Sequence, residues 1–263
     1  MAETEDINRF NVSRVVRANN PKPPVTIIVP FHGHYGGVTT IVDNIFNKNS
    51  YHNFKLILGD DGSKNKEFTT RFEKYPNTLV MKGEKHRGFG AIVNSCLKNC
   101  KTELFAILHS DVEIVDYGWL NQLVDGYYSI EDRSKLGFTL LPSDNPTVKN
   151  KHLDYNSDIG HNNVTKIEGS HIPLYCAMGN LSMLRKIGLF REYPYGFFED
   201  KEFTSRMEKN GYSSYVNRSC WVKHHGMKTF NEVFSNDPSA IQTVKNNYDL
   251  LQKDLNKHLA TSS

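Results

Sequence analysis

Two groups of acidic residues stand directly after short apolar segments of the sequence. Asp60 and Asp61 follow one segment in Leu-Gly-Asp-Asp-Gly-Ser, and Asp111 and Glu113 follow another in His-Ser-Asp-Val-Glu. Carboxylates that share a crevice can hold a divalent cation, or they can accept hydrogen bonds from sugar or ribose hydroxyls. A cation would also neutralise a diphosphate group that the acids alone would repel. These residues therefore predict a site for a metal ion and a polar ligand.

A third acidic group begins a helical pattern in the second half of the chain. Glu199 and Asp200 follow Phe197 and Phe198 and begin the periodic segment 199–209. Acids at a helix N-terminus are favoured by the helix dipole, and this explanation accounts for the composition. A carboxylate beside a crevice and partly desolvated by two rings would instead have a raised pKa and could act as a general base. The spacing alone leaves both interpretations open.

Histidine and cysteine pairs offer a further choice between structure and chemistry. His224 and His225 are adjacent, so their side chains diverge in a strand; each is an ordinary structural histidine or one of them is a metal ligand. Cys96 and Cys100 are four residues apart in a helical pattern and are predicted to be buried thiols, because metal sites use closer pairs with histidine partners. Four cysteines in the chain do not indicate a disulfide scaffold.

Known phosphate-binding loops do not account for these residues. The sequence contains no Gly-x4-Gly-Lys-Ser/Thr motif. Gly88-Phe89-Gly90 lacks the third glycine of the dinucleotide motif and does not follow the first strand. A different arrangement must therefore bind any phosphate group.

The segments around these residues predict alternating strands and helices. Residues 25–29 are nearly all apolar and β-branched, which is typical of a strand buried on both faces of a parallel sheet, and Pro30 is expected to end it. The first half predicts further strands at 54–58, 78–81, 104–108 and 136–141 and helices at 39–46, 91–97 and 119–127. The second half predicts ordered structure at 174–178, helices at 182–186, 199–209 and 238–259, and short strands at 212–216 and 220–223.

This order predicts an α/β fold with a Rossmann-like, open, mainly parallel twisted sheet that is flanked by helices in a single domain. Ligands bind at the carboxyl ends of the strands in such a sheet, so the acid groups are expected at one edge. Residues 1–24 form a polar arm, 25–230 the domain and 231–263 a helical extension. The polar stretch 142–172 is too long for a plain connection and is expected to be a functional loop.

The composition excludes several classes of protein. The 263-residue chain has 32 Lys and Arg against 29 Asp and Glu, and a net charge of +3 predicts no nucleic-acid partner. Its 15 Phe, 13 Tyr and 2 Trp argue against disorder. No apolar secretory signal begins the sequence and no run of 18 apolar residues predicts a transmembrane segment, so the cytoplasm is the expected location.

Taken in order, the motifs resemble those of the family 2 glycosyltransferases with the GT-A fold, which are inverting nucleotide-sugar enzymes. The resemblance covers about residues 25–226 and rests on the order and spacing of the whole series. The motifs are Val-Thr-Ile-Ile-Val-Pro-Phe-His at 25–32, Leu-Gly-Asp-Asp-Gly-Ser at 58–63, residues 88–94, His-Ser-Asp-Val-Glu at 109–113, Gly-Leu-Phe-Arg-Glu at 188–192, Phe-Phe-Glu-Asp-Lys-Glu-Phe at 197–203, Arg206 and Val-Lys-His-His-Gly at 222–226.

The resemblance implies a site for the nucleotide-sugar donor within residues 25–113. Asp60 and Asp61 match the family's Asp-Asp-Gly-Ser, which binds the uracil or thymine base and the ribose. The other implied donor contacts are Pro30 and His32 at the base, Arg87, Gly88 and Asn94 along the nucleotide, and His109 and Ser110 beside the donor.

The resemblance also implies a Mn²⁺ or Mg²⁺ cofactor and a general base. Asp111 matches the last acid of the family's Asp-x-Asp motif, which ligates the metal on the diphosphate, and His224 matches a late histidine that often reaches the metal. Asp200 matches the acid that deprotonates the acceptor hydroxyl, within an acceptor-binding half at 114–230. The secondary candidates are Glu113, Glu199 and His225, the last as an alternative to His224.

The sequence departs from the family's pattern at two positions. His109 stands where the first Asp of Asp-x-Asp would be, and a neutral imidazole there can still donate a hydrogen bond to ribose or phosphate. Gly33 stands where an Asn usually follows the first strand, which weakens a contact with the base.

The implied activity is transfer of a sugar, with inversion, from a UDP- or dTDP-sugar to a hydroxyl of a glycan or glycoconjugate acceptor; the oligomeric state is left open. One alternative is a non-catalytic nucleotide-sugar-binding module, which the missing first Asp would suit. The other is a sugar-phosphate nucleotidyltransferase. That enzyme needs a Gly-rich basic loop after the first strand, and residues 32–37 are Gly-rich but contain no Lys or Arg.

Overall fold

The structure, a computed structural model, describes residues 22–145, 164–168, 171–226, 235, 237 and 239–260. The strands are β1 Val25–Phe31, β2 Phe54–Asp60, β3 Thr78–Lys82, β4 Leu104–Leu108, β5 Val112–Ile114, β6 Leu136–Leu140, β7 Val164–Lys166, β8 Cys176–Asn180, β9 Ser213–Asn217 and β10 Val222–His224. The helices are α1 Tyr35–Asn47, α2 Phe89–Asn99, α3 Trp119–Ser129, α4 Leu181–Ile187, α5 Glu199–Lys209 and α6 Ser239–Ala260, with a 3-10 helix at Phe68–Phe72.

Eight of these strands form one twisted sheet in the order β3-β2-β1-β4-β8-β6-β9-β7. The four strands from β3 to β4 are parallel. Strand β8 runs antiparallel to both β4 and β6, β9 is parallel to β6, and β7 is antiparallel to β9. A separate antiparallel pair joins β5 to β10. The predicted α/β fold with a mostly parallel sheet flanked by helices is thus confirmed.

Strand β1 lies in the middle of the sheet because its residues are apolar on both faces. Val25, Ile27 and Val29 pack into one core cluster, and Ile28 packs into a second cluster on the opposite face. Helices α1 and α3 cover the first face, whereas α2, α4 and α5 cover the second. Period-2 burial of this kind fixes the register, since a slip of one residue would exchange the two faces.

Helix α1 shows why the flanking segments are helical. Its buried apolar residues Val38, Ile41, Val42 and Ile45 recur at helical spacing and form one stripe against the sheet. The same pattern makes Cys96 a buried residue of α2, and Cys100 lies buried just beyond that helix. The prediction of buried thiols is therefore confirmed.

Several predicted boundaries were wrong for identifiable reasons. Pro30 does not end β1, which continues to Phe31 beside β2; its missing N–H is tolerated because pairing with β4 ends at Ile28. Strand β6 does not join the parallel set, but pairs with β8 and β9 instead. Strands β5 and β7 and the 3-10 helix were not predicted, because segments of three to five residues are too short to show a periodic pattern. The helix at 199–209 was predicted with its observed bounds.

The last described element, α6, packs against α5. In the part of the chain that the structure describes, no helix has the length and apolar character needed to cross a bilayer. The predicted arm at 1–24 and loop at 142–172 lie largely outside the described residues, as do parts of the predicted extension at 231–263.

Candidate active site

The site is built at the edge of the sheet where β1, β2 and β4 end. Because these strands are parallel and adjacent, the residues that follow them meet at one edge. His32 follows β1, Asp61 follows β2 and His109 follows β4. The parallel pairing therefore places two histidines and an acid at one edge of the sheet, although they come from segments that are far apart in the chain.

Three side chains at this edge could hold a metal ion. One ligand atom each from His109, Asp111 and His224 lies within 4.8 Å of the others. The first two residues stand in the turn between β4 and β5. His224 is brought to them by the β5–β10 pair, in which it lies opposite Val112. Its Nε2 is 3.4 Å from Oδ1 of Asp111. The pairing of two short strands thus completes the cluster.

The electrostatics of this cluster favour a bound cation. Burial raises the pKa of Asp111, but a hydrogen bond from His224 and the nearby His109 outweigh it, so the pKa is well below its usual range. Burial lowers the pKa of His109 to about 4, which keeps its imidazole neutral and able to ligate. Among the described residues, Nε2 of His109 has no hydrogen-bond partner. The cluster thus offers one carboxylate and neutral imidazole nitrogen.

The structure separates the two adjacent histidines. The ring of His224 stacks on Tyr175 at a centroid distance of 4.8 Å, and Asn145 donates to the His224 carbonyl. His225 points the other way, with 49% of its side chain exposed and its Nε2 3.3 Å from Glu113. Glu113 consequently lies beside the cluster and not in it. Sequence reasoning missed Tyr175, which comes from a segment 49 residues before the histidine it supports.

A further histidine lies next to the cluster. His34 precedes α1 in a left-handed conformation with φ 45°, and its electrostatic interaction with Asp111 is one of the causes that lower the pKa of that carboxyl group. A Cβ added to Gly37 would collide with the His34 ring and with the carbonyl oxygen of Ser110. The glycine therefore makes room for the ring beside buried Ser110. The sequence did not indicate that His34 lies beside the cluster, because it is a single histidine in a Gly-rich loop.

The predicted acid Asp61 holds the loop before α2 through hydrogen bonds to its backbone. Its carboxylate accepts hydrogen bonds from the backbone N–H groups of Arg87 and Gly88 at 2.7–3.1 Å, and Nε2 of His86 is 3.4 Å away. Burial raises the pKa of Asp61 to about 6, although these hydrogen bonds act in the opposite direction. Asp61 thus fixes residues 86–88 at the entrance to α2.

Two histidines stack beside this acid. The rings of His32 and His86 are 3.9 Å apart and nearly parallel, at 13°. Nδ1 of His32 is hydrogen-bonded to the Asp61 carbonyl at 2.8 Å, and Tyr195 contacts His86 edge-on. Burial and the neighbouring His32 lower the pKa of His86 to about 4, so its ring is neutral. Sequence reasoning identified His32 but missed His86 and Tyr195.

Four other predicted donor residues are engaged within the protein. Asp60 is fully buried and its Oδ1 accepts from the Ser63 N–H at 2.8 Å. Pro30 lies inside β1. Asn94 is buried, and its amide exchanges two hydrogen bonds with the backbone of Phe190. The guanidinium of Arg87 is exposed and forms an ion pair with Glu192 at 2.6 Å.

The predicted base, Asp200, stands in the first turn of α5 with 29% of its side chain exposed. Its Oδ2 is 3.0 Å from Nε2 of His171, a residue that sequence reasoning did not identify. The negative charges of both Asp111 and Asp200 act on the His109 imidazole and oppose the effect of its burial. The ring of His109 contacts Phe89 at a centroid distance of 5.2 Å, and the adjacent Gly90 N–H donates to Glu199, so the start of α5 lies close to the His109, Asp111 and His224 cluster.

Glu199, in contrast, is buried behind the crevice. It is 3% exposed and accepts a hydrogen bond from the Gly90 N–H at the start of α2. Burial, the largest influence, raises its pKa to about 8. Glu199 thus connects the N-termini of two helices, and Asp200 is the member of the pair that faces outward.

The loop before α5 has an unusual backbone. Tyr195, Phe197 and Phe198 all have positive φ, at 62°, 77° and 74°, and Gly196 between them has φ 92°. Such conformations cost non-glycine residues about 1 kcal/mol or more each and persist only where the surroundings impose them. Asn247 of α6 imposes this one, since its buried amide donates to the carbonyls of Pro194 and Gly196.

Comparison with known proteins agrees with this architecture. The family model described as "Glycosyl transferase family 2" matches residues 26–188. The "O-antigen biosynthesis protein RfbC" of Myxococcus xanthus is 31% identical over 104 residues, which is 39% of this chain. The match spans only 8% of that relative's length.

Two solved structures share the fold. A mannosyltransferase, PcManGT from Pyrobaculum calidifontis in complex with GDP-Man and Mn²⁺, has a TM-score of 0.59 and 15% identity, with 92% of this chain and 75% of that one covered. GalNAc-T7 with UDP, GalNAc and Mn²⁺ has a TM-score of 0.62 and 12% identity, with 77% and 44% covered. At these identities the likeness establishes the fold, which is the GT-A architecture that the motifs predicted.

Proposed function

The chain belongs to glycosyl transferase family 2, and from this we propose that it is an inverting glycosyltransferase. It transfers a sugar from a nucleotide-sugar donor to the hydroxyl of an acceptor. One observation carries the proposal: His109, Asp111 and His224 place three ligand atoms within 4.8 Å of one another at the carboxyl ends of the strands. The proposed base Asp200 follows Glu199, which accepts a hydrogen bond from Gly90, and the adjacent Phe89 ring contacts His109.

The residues present fit a divalent cation. His109 offers a neutral buried Nε2, Asp111 offers a carboxylate oxygen and His224 an imidazole nitrogen, and these three atoms lie within 4.8 Å of one another. Imidazole ligands suit Mn²⁺ better than Mg²⁺, which prefers oxygen ligands and waters. Both structural relatives described above contain Mn²⁺. When bound, such an ion stabilises negative charge that develops on a departing diphosphate.

The donor lies along the edge of β1, β2 and α2. Residues 86–88 are held in place by Asp61, and the stacked rings of His32 and His86 present polar edges beside them. The nucleotide half is residues 25–113 and the acceptor half is 114–230, with 1–24 and 231–263 as flanking segments. We assign a UDP- or dTDP-sugar as the donor and a glycan or glycoconjugate as the acceptor.

In the transfer step, Asp200 receives the proton of the acceptor hydroxyl. The acceptor oxygen forms a bond to the anomeric carbon while the bond from that carbon to the diphosphate oxygen breaks. The nucleoside diphosphate leaves with the electron pair. Because a single displacement takes place from the opposite face, the anomeric configuration inverts. His109 and His224 flank the side on which the leaving group departs, and Asp200 lies on the acceptor side.

Release of nucleoside diphosphate tests the proposal. The chain is incubated with Mn²⁺ and a panel of UDP-, dTDP- and GDP-sugars, first without acceptor and then with glycan acceptors. The expected result is release with one donor, which Asp200→Asn lowers roughly 10²–10⁴-fold while donor binding persists. Donor binding without release or transfer, under all conditions, would instead favour the non-catalytic binding module.

A further inference from the structure

Asp200 has a partner that the family resemblance did not assign. Nε2 of His171 lies 3.0 Å from Oδ2 of Asp200, a distance typical of a charge-assisted hydrogen bond. Both side chains reach solvent, with 51% of His171 and 29% of Asp200 exposed. The pair therefore stands open at the acceptor side of the crevice.

The segment that carries His171 is anchored firmly. Ile172, Leu174 and Tyr175 are each 1% exposed and belong to the two core clusters on either face of the sheet. Tyr175 is the residue whose ring stacks on His224. One short segment thus contacts the proposed base at one end and a proposed metal ligand at the other.

We propose that His171 is the positioning residue of the acceptor site, which holds the Asp200 carboxylate so that it faces the incoming hydroxyl. The inference rests on the proposed function. The Nε2–H of His171 donates to Oδ2, and the Lys201 N–H donates to Oδ1. A carboxylate fixed through both oxygens keeps one orientation, whereas a free one at a helix terminus rotates among several. A misplacement of about 1 Å can cost roughly 10²-fold in rate.

The charge on His171 adds a pH dependence to this positioning. The hydrogen bond to Asp200 is the main influence that raises the pKa of His171 above 6.5, and the charge of Asp200 adds to it. Burial and the charge of Lys201 act in the opposite direction. Below the raised pKa, the imidazolium lowers the basicity of Asp200. Transfer is therefore expected to increase as the pH rises through the pKa of His171.

Three variants of the full chain test the inference kinetically. His171→Ala should lower kcat roughly 10–100-fold with the donor KM unchanged, because the donor lies on the other side of the crevice. His171→Gln keeps a donor group and should recover most of the rate, but its pH profile should lack the increase that His171 causes. His52→Ala, an exposed histidine at the amino end of β2, should behave as the wild type.

A titration of the His171 ring by NMR needs no substrate and separates the two proposals. The expected pKa is raised in the wild type and ordinary in Asp200→Asn. Normal transfer with an ordinary pKa in both proteins, or a wild-type kcat in His171→Ala, overturns the inference alone. Absence of transfer in the wild type together with a raised pKa overturns the proposed function, and the positioning role of His171 with it.

Discussion

The carboxylate of Glu199 accepts a hydrogen bond from the backbone N–H of Gly90 at 3.3 Å, which joins the first residue of α5 to the first turn of α2. The two residues are 109 positions apart in the sequence. Because α2 follows the donor segment and Asp200 is the second residue of α5, this bond links the proposed donor and acceptor halves. Burial raises the pKa of Glu199 to about 8, so the neutral acid forms this contact at neutral pH.

Glu199→Gln should change how stability depends on pH. The folded-state pKa of about 8 exceeds the ordinary value of 4.5, so the native state binds the proton more tightly than the unfolded chain does. This contribution is complete below pH 4.5 and is lost as the pH rises through about 8. Denaturant unfolding at several pH values should show that the wild type loses free energy of unfolding relative to the variant as the pH rises through that range. Exposed Glu67→Gln should follow the wild type throughout, and a parallel curve for Glu199→Gln would contradict the assignment.

Gly88→Ala should destabilise the fold. Gly88 has φ 104°, and an added Cβ would clash with the backbone of Tyr193 and Gly196. A strained conformation and a close backbone contact together should cost about 1–3 kcal/mol or more in the free energy of unfolding. Gly36→Ala is the matched control, because that helical position has open space around it. The control should be unchanged or up to about 1 kcal/mol more stable; similar losses in both variants would refute the steric argument.

Substitution of the proposed metal ligands Asp111 and His224 should weaken Mn²⁺ binding, whereas substitution of the adjacent His225 should not. Asp111→Ala and His224→Ala remove a ligand and should lower Mn²⁺ affinity by more than the roughly 10–100-fold that loss of a supporting partner costs. Since a bound ion stabilises the folded state, the measurement is the shift in Tm with and without Mn²⁺. His225→Ala should keep the wild-type shift, because its ring faces Glu113. A lost shift in His225→Ala alone would reverse the assignment.

Asn247→Ala should release the loop before α5. The buried amide donates to two backbone carbonyls, and its removal leaves both carbonyls without these donors. Leaving a buried acceptor unsatisfied lowers the free energy of unfolding by about 1–3 kcal/mol. Unfolding should be easier, and limited proteolysis should cut within 193–198 sooner. Asn246→Ala, on the exposed side of the same helix, should match the wild type. Equal proteolysis rates in all three proteins would exclude a holding role for α6.

Much of the site could be predicted because its signals are local. The apolar run of β1 and the Asp-Asp-Gly-Ser that follows β2 are contiguous, so the strand and its carboxyl-terminal acids are read together. Helix α5 was predicted with its bounds because its acids and its periodicity lie in one segment. Parallel pairing then brings the carboxyl ends of these strands to one edge of the sheet, independently of the sequence of the connecting loops.

Partners from distant segments could not be predicted in this way. Asn94 is 96 residues from Phe190, whose backbone it holds, and His171 is 29 residues from Asp200. Nothing in the neighbourhood of either residue indicates its partner, since the contact is created only when separate elements pack. The sequence therefore contained no indication of either contact.

The sequence by itself determined the fold class, the strand ends that carry the acids, and the family. The tertiary structure decided which side chains of those motifs meet, and the adjacent histidines are the clearest case. The pairing of β10 with β5 turns His224 toward Asp111 and His225 toward Glu113. Local pattern fixes the alternation of side chains along a strand, but the register with a partner strand 110 residues away fixes which face meets the site.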